Sequence, residues 1–540
     1  MDPKKLNHLS NRRDFIRQAA CAAVGTTALT GALRDLRLIN AALAAGPIAN
    51  DYKALVCVFL AGGNDSNNLI IPTIPAEYAS YSTIRTTILA IPNADGGPAT
   101  ALALNPINSD GHTYGIHPAC VGLQNLFNSG KASTLFNVGS LVYPITRAQY
   151  SAGTVKTPPQ LFSHSDQQQQ WQTSIPDKPA TSGWGGRLGD LLTNPGTYNA
   201  NPNGQISFAT SVAGTNTWQR GLYTDQYNLT TTGAIDLSST VNVGGLTEGK
   251  KNALLSMMGV SQTNLQSKAY AAALDHALRE AGIVNTSIGL FNPDQTTGSG
   301  NPGSVPGFVV QAGDPLANSA TVGAVGTALF PTTVTTPNNG STFTSGLSSQ
   351  LKMVARLIEA GSRQIRLPGD ISGMNMRRQI FFVQVGGYDT HTSQTNTVSN
   401  GATNANVIIG SQANLFAELS RTLYGFQRAM EILGLSNNVT CFTASDFGRT
   451  FPSNGQGSDH GWGSHHVVVG GAVNGRKTFG TWPTLTVNGP DDTNTGRWIP
   501  TTSVEQYCAS FATWFGVENA DVATIFPNLG RFATPPAVMA

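Results

Sequence analysis

The segment Asn438-Val-Thr-Cys-Phe-Thr-Ala-Ser-Asp-Phe-Gly-Arg-Thr450 joins an apolar run to a short polar turn. Residues 438–444 are rich in β-forming side chains and predict a buried strand. Asp446 then follows the carboxyl end of that strand, where open α/β sheets bind their ligands. Three histidines follow within the next twenty residues, in a glycine-rich loop. A carboxylate at a strand end with nearby imidazoles is typical of a metal site, although a polar surface loop has a similar composition.

Two other segments repeat this arrangement of an apolar run and an aspartate. Residues 379–385 form an apolar run that is followed by Asp389 and His391, and residues 53–60 form another that is followed by Asp65. Parallel strands have their carboxyl ends at one edge of a sheet, so we expect the three aspartates to converge there. The sequence therefore predicts an α/β fold with a mostly parallel central sheet and a site at its edge.

Helical patterns alternate with the predicted strands. Apolar side chains at helical spacing predict helices over residues 347–361, 412–433 and 503–515, and a longer helical pattern covers residues 246–284. Residues 72–112 are rich in turn-forming side chains and predict an irregular excursion across the edge of the sheet. This alternation of strands and helices favours parallel strands with right-handed crossovers.

Two long stretches carry almost no charge. Residues 194–245 and 284–345 are rich in Gly, Asn, Thr, Ser and Pro, and we interpret them as loop-rich insertions. We expect residues 45–540 to form a single α/β domain that carries both insertions.

The N-terminus has the features of an export signal. Asn11-Arg-Arg-Asp-Phe-Ile-Arg17 has the twin-arginine form, a mildly apolar run follows at Ala19–Leu33, and Ala42-Leu-Ala44 offers a cleavage site. The apolar run is shorter than the roughly 20 residues that span a bilayer, which argues against a stable membrane anchor. We expect residues 1–44 to be a signal peptide, with the twin-arginine translocase as a partner during export. The mature protein is then expected in the periplasm or outside the cell.

The charge balance gives no sign of a nucleic-acid partner. Residues 1–44 hold seven of the 32 basic residues and three of the 30 acidic ones, so 25 basic and 27 acidic residues remain after cleavage. Nucleic-acid binding usually needs a basic surface, which a slightly acidic chain does not suggest. Charged residues make up 11% of the chain, against about 25% in an average soluble protein.

The motif Ser163-His-Ser-Asp166 precedes a run of glutamines and predicts the start of a helix. A hydroxyl at a helix N-terminus beside a metal ion would be well placed to attack an anionic ester, because the amide dipoles favour negative charge there. An ordinary helix cap before a solvated turn would have the same sequence. His164 could be a ligand, a base or a neighbour of the cap. Arg449 could clamp an anionic oxygen, or could pair with a carboxylate.

Five motifs along the chain, in the order in which they occur, resemble those of the DUF1501 family. Its members are bacterial, mostly twin-arginine-exported proteins of unsettled function. Through that family the chain resembles the alkaline phosphatase and sulfatase superfamily. The resemblance runs through about residues 50–535 and rests on the following segments: Leu60–Asn68, Ser163-His164 with the glutamine run, Gly386–Thr390 with His391, Ser445–Thr450, and Asp459-His-Gly461.

The resemblance implies an alkaline-phosphatase-like α/β/α sandwich with one or two divalent metal ions, Zn or Mn being favoured. It places the nucleophile within Ser163–Asp166, with Ser163 as the first candidate and Ser165 as the second. Phosphatases of that superfamily usually have histidine after the aspartate of the second metal position, whereas this chain has Phe447. The metal ligands that the resemblance implies are Asp65, Asp389, His391, Asp446 and His460.

Two functions are consistent with these residues. The first is an exported metal-dependent hydrolase of phosphate or sulfate esters, in which the metal ion polarises the ester and Arg449 offsets the developing charge. The second is a non-catalytic exported protein of the same fold that binds a glycan or a protein and holds at most a structural metal ion. The convergent aspartates favour the first function, and Phe447 favours the second.

Overall fold

The computed structural model describes most of the chain after the N-terminal segment. The described residues are 50–93, 100–235, 248–258, 260, 264–294, 301–302, 307–308 and 328–540. The predicted signal peptide lies outside these residues, as do parts of both predicted insertions.

The chain folds around a mixed β-sheet whose middle is parallel. Three strands that the sequence predicts, β1 (Lys53–Leu60), β10 (Arg378–Val385) and β11 (Val439–Ser445), lie side by side with β1 between the other two. The spatial order of the central sheet is β13-β5-β12-β11-β1-β10-β6-β7, and β14 also pairs with β5. The remaining strands are β2 (Ile70–Pro72), β3 (Leu102–Leu104), β4 (Tyr114–Ile116), β5 (Ala132–Gly139), β6 (Ala209–Ser211), β7 (Gln226–Asn228), β8 (Thr333–Thr335), β9 (Thr342–Thr344), β12 (Ser464–Gly470), β13 (Thr478–Phe479) and β14 (Thr502–Ser503).

Helices cover both faces of this sheet. The described helices are α1 (Pro75–Leu89), α2 (Val121–Asn128), α3 (Arg147–Ala152), α4 (His164–Thr173), α5 (Trp184–Leu192), α6 (Glu248–Met258), α7 (Leu265–Gly289), α8 (Gly346–Arg366), α9 (Thr397–Asn400), α10 (Asn404–Val407), α11 (Ser411–Ile432), α12 (Val504–Phe515) and α13 (Val522–Ile525), with short 3₁₀ turns at Asn519–Asp521 and Leu529–Arg531.

The side chains of β1 show that the sheet separates two hydrophobic cores, one on each face. Val56 and Val58 point into one core, which α2, α8 and α11 cover. Cys57 and Phe59 point into a second core, which α5 and α12 cover. A strand that is buried on both faces reads as a continuous apolar run, which explains why the sequence identified β1 so clearly. The prediction of an α/β fold with helices around a mostly parallel central sheet is therefore confirmed, and the layers are compatible with an α/β sandwich.

The sheet is mostly parallel, as expected, but it is mixed, because strand β12 runs antiparallel to both β11 and β5. One part of the fold differs from the expectation. Helix α1 forms within the stretch that was expected to be irregular. The sequence did not predict this helix because it buries only a few side chains and so has little helical periodicity. Among the described residues, no helix combines the length and the apolar character needed to cross a membrane. Cys57, Cys120, Cys441 and Cys508 are all buried and free of disulfide bonds.

Candidate metal centre

The loops that follow β1, β10 and β11 are packed tightly together at one edge of the sheet. Gly62 has a φ of +117°, and its backbone N–H donates to Asp446 Oδ1 at 3.3 Å. A Cβ atom at Gly62 would lie 2.4 Å from the backbone nitrogen of Asp389. Only glycine fits this left-handed turn and the close approach of the two chains. The turn therefore brings the loops that carry the two aspartates next to each other.

Three side chains from distant parts of the sequence meet at this edge. They are His164 at the start of α4, Asp389 after β10 and His460 between β11 and β12, and their ligand atoms lie within 4.8 Å of one another. His164 Nε2 is 3.6 Å from Asp389 Oδ2, and His460 Nε2 is 3.3 Å from Asp389 Oδ1. We call these three residues the ligand cluster.

Both histidines of the ligand cluster have an oxygen acceptor beside Nδ1. His164 Nδ1 is 2.6 Å from Asp446 Oδ2, and His460 Nδ1 is 2.7 Å from the carbonyl oxygen of Phe162. A neutral imidazole that donates from Nδ1 keeps its lone pair on Nε2, which is the form that binds a metal ion. The buried Nε2 atom of His164 has no hydrogen-bond partner within the described part of the chain.

His391 lies beside the ligand cluster and is oriented in the same way. Its Nδ1 is 2.9 Å from Asp459 Oδ1, which leaves the lone pair of the neutral ring on Nε2. That Nε2 atom lies 2.9 Å from His460 Nε2 and 3.1 Å from Asp389 Oδ1. Two nitrogen lone pairs at this separation repel each other unless a proton or another cation lies close to both. A proton shared as a hydrogen bond between the two rings meets this requirement, and so would a bound cation.

The surroundings of Asp389 and His460 favour the protonation states that bind a cation. Burial alone raises the pKa of the Asp389 carboxyl, but the hydrogen bond and the charge of Arg449 outweigh it, so this pKa lies below its usual value. Burial is the main reason why the pKa of His460 is lowered. Asp389 is therefore held as a carboxylate and His460 as a neutral imidazole.

Arg449 is buried, and its guanidinium bonds to backbone carbonyls and to a carboxylate that line the site. Its Nε donates to the Gly63 carbonyl at 3.0 Å, and its Nη1 donates to the Ser458 carbonyl at 3.3 Å. Its Nη2 donates to the Tyr388 carbonyl at 3.1 Å and forms an ion pair with Asp389. Of the two roles considered from the sequence, the structure places Arg449 in a carboxylate pair and not in an open anion clamp.

Asp446 and Asp65 occupy different positions from those expected of ligands. Asp446 is fully buried behind His164, where its Oδ2 also accepts from Gln168 Nε2 at 3.0 Å. The carboxylate of Asp65 forms a buried ion pair with Arg85 of α1 and accepts a hydrogen bond from Gln394. Asp65 thus pairs with the guanidinium of Arg85, and Asp446 is a hydrogen-bond partner of His164.

Ser163 and Ser165 lie at the start of α4, as the sequence indicated. Ser163 is the N-cap residue, but its hydroxyl caps no backbone N–H group. It donates instead to Asp166 Oδ2 at 2.7 Å, and the Ser165 hydroxyl is 3.3 Å from that of Ser163. Both hydroxyls therefore belong to a small polar group around Asp166, directly beside His164 in the chain.

Phe447 forms an apolar wall of the ligand cluster. Its ring centre lies 4.8 Å from that of His164 and 4.7 Å from that of His460, and the side chain is buried. This is the position at which the phosphatases that the sequence resembles are expected to carry a histidine. An aromatic ring there offers no ligand for a second ion.

The sequence did not single out the oxygen atoms that orient the His391 and His460 rings. Asp459 was noted only as part of a motif, and the carbonyl of Phe162 carries no sequence signal because any residue has one. Phe162 has a φ of +72°, which is uncommon for a residue with a side chain. The position of Asp459 next to His460 was the one available hint.

The donor set fits a divalent ion. Ligand atoms that lie about 2.0–2.1 Å from a tetrahedral Zn²⁺ ion are about 3.3 Å apart. His460 Nε2 is 3.3 Å from Asp389 Oδ1 and His164 Nε2 is 3.6 Å from Asp389 Oδ2, and one ligand atom from each of the three residues lies within 4.8 Å of the other two. Mixed imidazole and carboxylate donors suit Zn or Mn better than Ca. The residues that could hold the ion are His164, Asp389 and His460. His391 Nε2 lies beside them and is also 3.4 Å from Arg449 Nη1.

A comparison with known families agrees with this part of the chain. Residues 371–500 match the family model described as "Protein of unknown function (DUF1501)". The DUF1501 resemblance is confirmed. The matched DUF1501 segment contains Asp389, His391, Asp446, Arg449 and His460, whereas Asp65 and the Ser163 region lie outside it.

Other comparisons add little. No curated protein matches the chain. A solved structure described as "Crystal structure of Ps i-CgsB in complex with k-i-k-neocarrahexaose" is 8% identical, and the match covers 90% of this chain and 77% of that chain with a TM-score of 0.30.

Proposed function

We propose that this DUF1501 protein is an exported hydrolase of phosphate or sulfate esters that uses one divalent metal ion, Zn or Mn being favoured, on an alkaline-phosphatase-like fold. The observation that carries the proposal is the convergence of imidazole Nε2 atoms on the Asp389 carboxylate. The Nδ1 atom of each of these rings faces an oxygen acceptor. Such carboxylate–histidine and carbonyl–histidine pairs are the usual outer partners of a metal site.

The residues around the ligand cluster have different proposed roles. Asp446 and Asp459 keep His164 and His391 in the Nδ1–H form, and Arg449 keeps Asp389 ionised. A divalent ion held there would polarise an ester oxygen and lower the pKa of an attacking hydroxyl or water. Ser163 is the first candidate for that hydroxyl, because it precedes His164 and its proton already points to Asp166 Oδ2. Ser165 is the second candidate.

One ion is proposed instead of two. Phe447 occupies the wall beside His164 and His460, and Asp65 is neutralised by Arg85. Neither residue is then free to complete a second site.

The ion pair between Arg449 and Asp389 favours a second candidate function. A guanidinium that already neutralises the cluster carboxylate weakens its attraction for a metal ion. In that case the protein is a non-catalytic binder of a glycan or a protein. The two candidates differ in whether a metal-loaded sample hydrolyses any anionic ester.

A screen with aryl phosphate and aryl sulfate esters tests the proposal. We expect hydrolysis by the protein supplemented with Zn²⁺ or Mn²⁺. His164→Ala should reduce the rate about a hundredfold or more, because it removes a proposed ligand. His276→Ala is the matched control, since that histidine is exposed on α7, outside the ligand cluster. If the metal-loaded wild-type protein hydrolyses neither class of ester, the binding function takes the place of the hydrolase.

Ser163→Ala separates the two possible nucleophiles. Loss of activity with the metal ion still bound would support the hydroxyl of Ser163. Full activity in both Ser163→Ala and Ser165→Ala would assign the attack to a water molecule instead.

A further inference from the structure

Arg497 lies next to the ligand cluster on the segment between β13 and β14. Its Nε donates to the backbone carbonyl of His460 at 2.7 Å, and its guanidinium carbon lies 4.5 Å from the centre of the Phe162 ring. The segment is anchored from behind, because the backbone N–H of Arg497 donates to the fully buried Asp492 at 2.9 Å. Arg497 therefore contacts the two residues whose hydrogen bond orients the His460 ring.

The guanidinium of Arg497 is only partly used. A guanidinium has five N–H donors, and a single hydrogen bond, from Nε, is made to the described part of the chain. The side chain is half-buried, and its face rests on an aromatic ring, which limits its rotation without occupying Nη1 and Nη2. Arg449, in contrast, is fully buried and uses every nitrogen.

Within the described part of the chain, no carboxylate forms an ion pair with Arg497. The carboxylates that contact the histidines are Asp389, Asp446 and Asp459. Arg449 and one divalent cation would balance these three negative charges. The positive charge of Arg497 is then available to a ligand from outside.

We propose that Arg497 binds the anionic oxygens of the substrate, so that the site selects tetrahedral oxyanions of the phosphate or sulfate class. The planar fork of a guanidinium matches two such oxygens at once. This inference rests on the proposed function, because it assigns the substrate-binding group of the same site. It also supplies the anion contact that Arg449 is too deeply committed to provide.

Calorimetric titration of the metal-loaded full chain with inorganic phosphate, and separately with inorganic sulfate, tests the inference. Arg497→Gln should weaken binding of the preferred anion about tenfold or more, as expected for a lost charged hydrogen bond. Arg497→Lys keeps the charge but loses the fork, so its affinity should fall by less. Arg279→Gln, at an exposed arginine of α7, is the matched control and should bind as the wild type does. Metal content and thermal midpoint are measured on every variant.

The results separate a binding role from a structural one. Weaker anion binding with unchanged metal content supports the inference, and the better-bound anion names the ester class. Equal anion affinity in wild type and Arg497→Gln overturns it, and so does a wild-type protein that binds neither anion. Loss of metal together with anion binding, in Arg497→Gln and Arg497→Lys alike, also overturns it, because Arg497 would then act through His460. If wild type and Arg497→Gln bind the anion equally and both retain the metal ion, the role of Arg497 is refuted but the proposed function is not.

Discussion

At His164, the buried Asp446 carboxylate controls which ring nitrogen carries the hydrogen. Asp446 receives three donors, from His164 Nδ1, Gln168 Nε2 and the Gly62 backbone. An acceptor-only group suits that position, because every neighbour donates to it. Asp65 is equally buried after its own strand, but it pairs with Arg85. Two aspartates with the same sequence context therefore have different roles.

Asp446→Asn should lower metal affinity about 10- to 100-fold, as expected when an outer partner of a ligand is lost. The amide adds a donor where three donors already converge, so the His164 ring loses its fixed orientation. Competition with a chromogenic chelator measures the affinity. Asp65→Asn is the matched comparison and should lower stability but leave the affinity of the folded protein unchanged. If Asp65→Asn loses metal as strongly as Asp446→Asn, the assignment of the two roles is wrong.

Glu505 should make stability depend on pH. It is fully buried in the first turn of α12, and burial raises its pKa from 4.5 to about 7. Between these values the unfolded chain is ionised and the folded chain is protonated, so the free energy of unfolding falls as pH rises. The loss across this window amounts to about 3 kcal/mol and is complete above the folded-state pKa.

Glu505→Gln should remove this part of the pH dependence, which urea unfolding at pH 5 and pH 8 measures. The variant should therefore gain stability relative to wild type at pH 8. Glu431→Gln, at a partly exposed carboxylate that pairs with Arg428, is the control and should keep the wild-type slope. An identical slope in wild type and Glu505→Gln would show that Glu505 is not held protonated.

At the level of elements, the three central strands could be predicted because each is a buried run that ends in small residues. Their parallel pairing then placed the three following loops at one edge. What the sequence could not provide was the direction of each side chain in those loops. Asp65 pairs with Arg85, and Arg85 lies on α1, a helix whose weak periodicity gave no signal. Likewise, β12 shows no pattern that distinguishes an antiparallel strand from a parallel one.

The turn after β1 should be highly sensitive to added volume. Gly62→Ala places a methyl group against the Asp389 backbone, in addition to the strain of a left-handed residue. Gly111 has a φ of +92° and open space around it, so Gly111→Ala carries the strain alone. We expect Gly111→Ala to cost about 1–2 kcal/mol of unfolding free energy. Gly62→Ala should cost about 1–3 kcal/mol more and weaken metal binding. Equal costs for the two variants would contradict the packing that brings the strand-end loops together.

At the level of the whole molecule, the sheet holds two separate cores, and the site lies at the edge where its central loops meet. The sequence indicated this architecture because the α/β alternation and the doubly buried strands are local patterns. The ligand cluster draws on residues 164, 389 and 460, so only the folded chain shows that His164 belongs with the other two. The twin-arginine signal, export to the periplasm or beyond, and the single domain over residues 45–540 remain predictions.

The metal content of the purified full chain tests the central claim most directly. After supplementation with Zn²⁺ or Mn²⁺ and removal of excess ion, elemental analysis should find close to one divalent ion per chain. His164→Ala and His460→Ala should each lose most of it, while His276→Ala should retain it. A wild-type protein that stays metal-free after supplementation, or cluster variants that keep their ion, would contradict a metal centre built on these residues.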